Sequence, residues 1–282
     1  MNFLQILILA IVQGVAELLP ISSSAHVIVA EKLMGLDPTS PQLTLLLVML
    51  HTGTMFAVIA YFWKSWVTTY FSSSRALRLN ALYIAAATAV TGIVGLVLLQ
   101  LIKHVVAGKS PEFEIEQLFG NSKLMAASLA AAGVLIIVSS RFHERKNGEL
   151  SLFSAIWIGA VQGLCLPFRG FSRSGATIST GIAFGVARRR AEEFSFALAV
   201  VLTPAVIAKE AYRLYKAQAI VGSNAYGSEL MQLVAPSLLG MALSFLAGLV
   251  ALRWLSSWLE HGRWHYFGAY CLLASLVVLR VG

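Results

Sequence analysis

The sequence predicts an all-α polytopic integral membrane protein built as an inverted-topology repeat, each half one re-entrant helical hairpin plus three transmembrane helices. Three observations carry this. Of 282 residues, 58% are hydrophobic and only 12% charged, where soluble domains carry about 25% charged residues; mean hydropathy is +0.77. Several apolar runs are long enough for a hydrocarbon core of ~30 Å, which takes about 20 helical residues. One polar motif occurs twice, about half the chain apart.

In chain order, residues 3–34 are apolar but broken by Glu17, Pro20, Ser22, Ser23 and Ser24. Each half of this region is too short to span. Broken helices at membrane depth are tolerated only inside protein or along a wet cavity, so the region reads as a re-entrant hairpin. A cleaved signal peptide is disfavoured. No Lys or Arg precedes the apolar run, Glu17 lies inside it, and the following motif recurs in mid-chain. Crossings follow at about 42–62, 80–101 and 122–140. Residues 152–187, broken by Pro167, Arg169, Gly170 and Arg173, form the second hairpin. Three more crossings lie at about 194–215, 230–252 and 266–281.

The two breaks resemble each other. Val12, Gln13 and Gly14 open one, and Val161, Gln162 and Gly163 the other. Both pass through a proline and end Ser-x-Ser-(Gly/Ala), at 22–25 and 172–175. A single membrane domain, 1–282, with repeats at about 1–149 and 150–282, follows. Three crossings per half is odd, so the second half enters from the opposite side. Such folds bind ligands near the midplane, at the repeat interface.

Charge sets the orientation. Loops at 63–79, 141–150, 188–193 and 253–265 carry Lys64, Arg75, Arg78, Arg141, Arg145, Lys146, Arg188, Arg189, Arg190, Arg253 and Arg263. The other side has Lys103, Lys109, Arg213, Lys216 and Arg280, with Glu112, Glu114 and Glu116 serving solvation. The richer side is cytoplasmic. The first hairpin then opens outward, the second opens to the cytoplasm, and their tips meet in the bilayer. Orientation also accounts for the net charge of +8, so nucleic acid is not an expected partner. Cys165 and Cys271 lie in apolar stretches and read as buried thiols, not as a disulfide or metal framework.

Polar residues at membrane depth are costly and usually functional. Gln13 and Glu17, at i and i+4, share a helix face. Glu17 must face a cavity, a cation or a metal; a structural hydrogen-bond partner is the competing reading. Pro20 stops one helix, and Ser22, Ser23 and Ser24 can cap the next, whose N-terminus favours anions. His26 lies within one turn. It can act as base for a hydroxyl nucleophile, as phosphate acceptor or as leaving-group acid. In the second break Ser172, Ser174 and Thr177 supply hydroxyls, Gly175 admits close backbone approach, and Arg173 offers a planar fork for phosphate. Arg173 needs a counter-charge, either a ligand phosphate or Glu17. Arg169 either lines the cavity or snorkels. His51, His104, His143, His261 and His265 show no ligand spacing and read as structural or exposed. A carboxylate, an imidazole, hydroxyls and a guanidinium suit phosphoryl hydrolysis. A Mg²⁺ or Ca²⁺ ion on Glu17, with Gln13 beside it, would bridge to a diphosphate. A site inside the bilayer implies a lipid-tailed substrate.

At these residues the chain resembles the undecaprenyl-diphosphate phosphatase family, also called bacitracin-resistance proteins. The family's (Glu/Gln)-x-x-x-Glu element matches Gln13 to Glu17 and continues as Pro-x-Ser-Ser-x-x-His over Pro20 to His26. Its Pro-Gly-x-Ser-Arg-Ser-Gly-Ala-Thr element matches from Gly170 to Thr177. The resemblance implies conversion of undecaprenyl diphosphate to the monophosphate carrier used in peptidoglycan synthesis, and with it bacitracin resistance. It implies a divalent cation, with catalytic roles for Glu17, Ser23, His26 and Arg173. Gln13, Ser22, Ser24, Ser172, Ser174, Gly175 and Thr177 would bind substrate. It implies a multi-pass protein of the bacterial cytoplasmic (inner) membrane, with its site facing the periplasmic side. The expected partners are the polyprenyl diphosphate and membrane lipids; assembly as a homo-oligomer is left open. Two departures stand out. Gln13 replaces the glutamate of many members, leaving one carboxylate for a metal. Arg169 replaces the proline before Gly170, with Pro167 displaced upstream.

A transporter or flippase of a phosphate-bearing lipid or anion could use the same inverted-repeat site. His26 beside the serines favours chemistry, since transport needs no nucleophile–base pair. A type-2 acid phosphatase is disfavoured because its second His and partnering Asp have no suitable counterparts.

Overall fold

The computed structural model describes residues 1–37, 40–107, 121–142, 147–221 and 228–281, with backbone alone at 41, 106–107, 206, 209–211, 213–221 and 228–233. Among the described residues all regular structure is helical: α1 (Phe3–Leu18), α2 (Ser23–Leu33), α3 (Pro41–Tyr70), α4 (Ser74–Ala107), α5 (Ser122–Ser140), α6 (Leu152–Cys165), α7 (Arg173–Ala183), α8 (Arg188–Val221), α9 (Ser228–Glu260) and α10 (Trp264–Val281).

The two broken regions are helix pairs, and both begin with the same device. Asn2 accepts from the Gln5 amide while the Gln5 side chain accepts from the Asn2 amide. Ser151 and Ser154 do the same at the start of α6. These capping boxes satisfy amides that a helix start leaves without partners. Pro20 and Pro167 lie just beyond the ends of α1 and α6, where a proline cannot continue a helix. At 16 and 14 residues, α1 and α6 are shorter than a span.

Among the described residues, five helical segments are long and apolar enough to cross a membrane: Gln42–Tyr70, Ser74–Val105, Ser122–Ser140, Val234–Glu260 and Trp264–Val281. The expected crossing at 194–215 falls on α8, part of whose side chains lie outside the described residues. The spans keep apolar residues on their outer faces, Leu96 on α4 and Leu273 on α10 among them. Lipid suits such contiguous apolar surface; water does not.

Helix contacts run both within and between the halves of the chain. α2 lies against α1, and α7 against α6. α1 packs along α9, and α6 packs along α4. At Gly14 on α1, an added Cβ would come within 2.6 Å of the Ala247 Cβ and 2.8 Å of the Ser244 carbonyl oxygen. Without a water-driven hydrophobic effect, helices in a membrane associate by such close backbone approach.

One end of the bundle holds a buried polar network. The Glu193 carboxylate accepts from Ser65 of α3, Arg190 at 3.1 Å and Arg189 at 3.3 Å. Arg190 also reaches Asn80 of α4 and lies over the Tyr70 ring. Ser256 of α9 donates to Glu192, Arg188 donates to the Leu259 carbonyl, and Ala187 N donates to the Gly148 carbonyl. The loops grouped on one side by charge therefore do lie together. Arg190, expected as a surface marker, has a side chain only 19% exposed. The predicted charges at Lys109, Glu112, Glu114, Glu116, Arg145 and Lys146, and His143, lie outside the described residues; so do the side chains of Arg213 and Lys216.

Candidate active site

The last turn of α1 supplies the carboxylate. Helical spacing sets Gln13 beneath Glu17, and the Gln13 amide donates to Glu17 Oε2 at 3.3 Å. The chain breaks over 19–22, and Ser22 adopts φ 67°, a left-handed conformation that is costly for a side-chain-bearing residue. α2 then begins at Ser23, whose hydroxyl donates to Glu17 Oε2 at 2.6 Å. The expectation that the serines cap α2 needs correcting. Ser22 sits at the cap position without a side-chain capping bond, and Ser23 spends its proton on Glu17. Ser22 contributes its carbonyl instead, accepting from His26 Nδ1 at 2.7 Å. The other ring nitrogen, Nε2, lies 2.7 Å from Tyr270 Oη of α10. Ser24 is half-buried in the first turn of α2.

The second break supplies the cation. Ser172 does cap its helix: its hydroxyl accepts from the Gly175 amide at 3.2 Å. Arg173 follows and reaches across, placing Nη2 3.3 Å from Glu17 Oε1. Its guanidinium lies 5.8 Å from the Phe196 ring centroid, within cation–π range. Nη1 is buried with no hydrogen-bond partner among the described residues. Ser174 donates to the Leu19 carbonyl at 3.3 Å and joins the two breaks directly. Thr177 is fully buried, and its hydroxyl is held by the Arg173 carbonyl and Ser195 Oγ at 2.8 and 2.6 Å. That hydroxyl anchors α7 to α8. Gly175 lies so close to Ile136, Ser172 and Pro20 of the first break that an added Cβ would come within 2.9–3.2 Å of each.

Gly170 has φ 106°, and an added Cβ would run into the Met125 carbonyl oxygen. Gly170→Ala is therefore expected to cost at least about 1–3 kcal/mol through backbone strain alone, read as a lower thermal unfolding midpoint in detergent. An unchanged midpoint would contradict this.

The structure thus joins Gln13, Glu17, Ser23 and Arg173 in one hydrogen-bonded group, with His26 attached through the Ser22 backbone. Reading the sequence missed three participants. His51 of α3, set aside as structural or exposed, places Nε2 3.9 Å from Glu17 Oε2 while Nδ1 donates to the Leu47 carbonyl. A signal for it existed: an ionisable residue within an apolar run, the same argument that singled out Glu17. Tyr270 and Ser195 left no such signal, since an aromatic or a serine in an apolar helix is ordinary. Arg169 is exposed, on the loop before α7. Cys271, read as a buried thiol, is buried and donates to the Pro20 carbonyl.

Comparison with known proteins points the same way. The family described as "Bacitracin resistance protein BacA" matches residues 6–277. The protein named undecaprenyl-diphosphatase 2 of Acinetobacter baylyi is 64% identical, covering 99% of this chain and 98% of its own. The undecaprenyl-diphosphatase of Renibacterium salmoninarum is 34% identical, covering 99% and 95%. That of Rhodopirellula baltica is 29% identical, covering 99% and 97%. With matching motifs, matching length and a family match over nearly the whole sequence, the chain belongs to the bacitracin resistance protein BacA family.

Proposed function

We propose that this protein is a membrane phosphatase that hydrolyses undecaprenyl diphosphate to undecaprenyl phosphate and inorganic phosphate, recycling the lipid carrier for peptidoglycan synthesis and conferring bacitracin resistance. The observation that carries it is the meeting of Arg173 from one break with Glu17 and Ser23 from the other, with one guanidinium nitrogen left unspent. A buried N–H without a partner is costly, and a phosphate oxygen would satisfy it. The Arg fork then neutralises charge on the transferred group. Ser23 Oγ–H already points at a carboxylate, the arrangement that activates a hydroxyl. This geometry favours Ser23 over His26 as the attacking group and leaves His26 Nε2 for proton transfer.

A Mg²⁺ or Ca²⁺ ion is part of the proposal. Among the described residues no three His, Cys, Asp or Glu side chains converge on a metal. The residues fit an ion shared with the substrate, because Mg²⁺ is commonly held by one or two carboxylates plus phosphate oxygens. Glu17 would be the carboxylate. Gln13, turning its amide N–H toward Glu17, would orient that carboxylate rather than act as a ligand. Once bound, such an ion supplies Lewis-acid neutralisation of phosphate charge.

The same reading includes the inverted repeat and its two re-entrant hairpins. It is supported by the twin capping boxes, and by α1 on α9 matching α6 on α4. These are equivalent pairs if repeat 2 begins at α6. The first hairpin would open to the periplasmic side of the bacterial cytoplasmic membrane.

The test is phosphate release from undecaprenyl diphosphate by purified protein in detergent, where no sealed compartment exists. Release is expected, with loss on chelation and recovery on adding Mg²⁺ or Ca²⁺. Undiminished release in chelator would remove the metal from the proposal. No release under any metal would remove the phosphatase and leave the transport alternative.

A further inference from the structure

Both nitrogens of His26 are engaged, and their partners differ in kind. Ser22 offers Nδ1 a carbonyl oxygen, which can only accept. Nδ1 therefore carries the proton, and in the neutral ring Nε2 carries the lone pair. Tyr270 Oη, 2.7 Å from Nε2, donates to it. The two rings stack, with centroids 5.6 Å apart and 15° between their planes. The carbonyl is aimed by an unusual backbone, because Ser22 is the only non-glycine residue with positive φ among those described. Strain of this kind clusters where a constellation must be held. With Nδ1 committed, Nε2 is the one ring atom free to take or give a proton. Tyr270 sits on that atom from the far end of the chain, on α10, and is itself 44% exposed.

We propose that Tyr270 is a positioning residue for the hydrolysis. The Ser22 carbonyl holds His26 in the Nδ1–H tautomer, and Tyr270 holds the ring with Nε2 presented as an acceptor and keeps the place that a reacting oxygen of substrate or water must take. No covalent bond to Tyr270 is made or broken; when the incoming oxygen takes its place on Nε2, the Tyr270 O–H turns to donate to that oxygen and keeps it in line with the ring. The logic is that of a base oriented by a third group, here with a carbonyl on one nitrogen and a phenol on the other. The inference rests on the diphosphatase reading for its consequence, and on hydrogen-bond geometry alone for the tautomer.

Tyr270→Phe keeps the stacked ring and removes Oη. In detergent the variant is expected to lose kcat on the order of tenfold, as loss of an orienting partner does elsewhere, with KM and the unfolding midpoint little changed. A purely structural tyrosine would leave kcat intact or lower the midpoint along with it. The second readout is independent of activity. In protein with ¹⁵N-labelled histidine rings, the His26 signals are those lost in His26→Gln. Wild type is expected to show a protonated Nδ1 and an unprotonated, hydrogen-bonded Nε2. In Tyr270→Phe the Nε2 signal is expected to move toward that of a free acceptor. Unchanged kcat in a folded Tyr270→Phe, or a proton found on Nε2 in wild type, overturns the proposal. If wild type releases no phosphate, the diphosphatase reading fails separately, and the wild-type spectrum still decides the tautomer.

Discussion

Arg173→Ala is expected to reduce phosphate release from undecaprenyl diphosphate by about a thousandfold or more while the protein stays folded. Losing one preorganised donor to a developing anion costs roughly 10²–10³ in rate, and an arginine on a transferring phosphoryl group is worth roughly 10³–10⁵. Arg173 combines both roles, since one arm is on Glu17 and the other has no partner among the described residues. Folding should survive because Glu17, left without Arg173, keeps the hydrogen bonds from Ser23 and Gln13. Arg173→Lys separates charge from shape. It keeps the cation but loses the fork, and partial activity is expected. Full activity in purified Arg173→Ala would remove Arg173 from the role of phosphate clamp.

The largest effect on stability is expected far from the site, at Glu193. Its carboxylate is 3% exposed and accepts from Arg189, Arg190 and Ser65. Arg190, in turn, is 19% exposed and reaches into α4 through Asn80. Removing one partner of a buried ion pair leaves the other charge uncompensated, which costs about 3–5 kcal/mol. Glu193→Ala should therefore show a much lower unfolding midpoint in detergent. Glu260→Ala, at an exposed position on α9, should change it little. Equal midpoints for the two variants would show that the Glu193 network contributes nothing to holding α3, α4 and α8 together.

His51 and Glu193 show where reading the sequence reached its limit. Both are ionisable groups close to or within apolar runs, and neither is singled out by residue type or spacing. His51 stood alone, without ligand spacing, and Glu193 lay in a charged loop segment beside Arg188, Arg189 and Arg190. Their importance comes from Glu17 and from Ser65, residues far away in the chain. Ser22 and Ser172 make the same point in reverse. They occupy equivalent places in the repeated motif, yet Ser172 caps its helix through its hydroxyl and Ser22 serves through its carbonyl. The difference lies in backbone conformation, which residue type alone does not report.

Composition, run length and the repeated motif were sufficient to determine a helical membrane protein with two polar breaks; the catalytic roles of Glu17, Ser23, His26 and Arg173 are what the family resemblance implies, and they belong to the proposal. These properties are local: the lengths of apolar runs, proline stops and the spacing of polar residues act within a few turns of helix. The tertiary structure alone decided which groups meet. It gave Ser23 to Glu17 rather than to His26, set the Thr177 hydroxyl against Ser195, and brought His51 and Tyr270 to the site. A hydrogen bond needs its partners within about 3 Å, and helix packing between the two halves sets that distance.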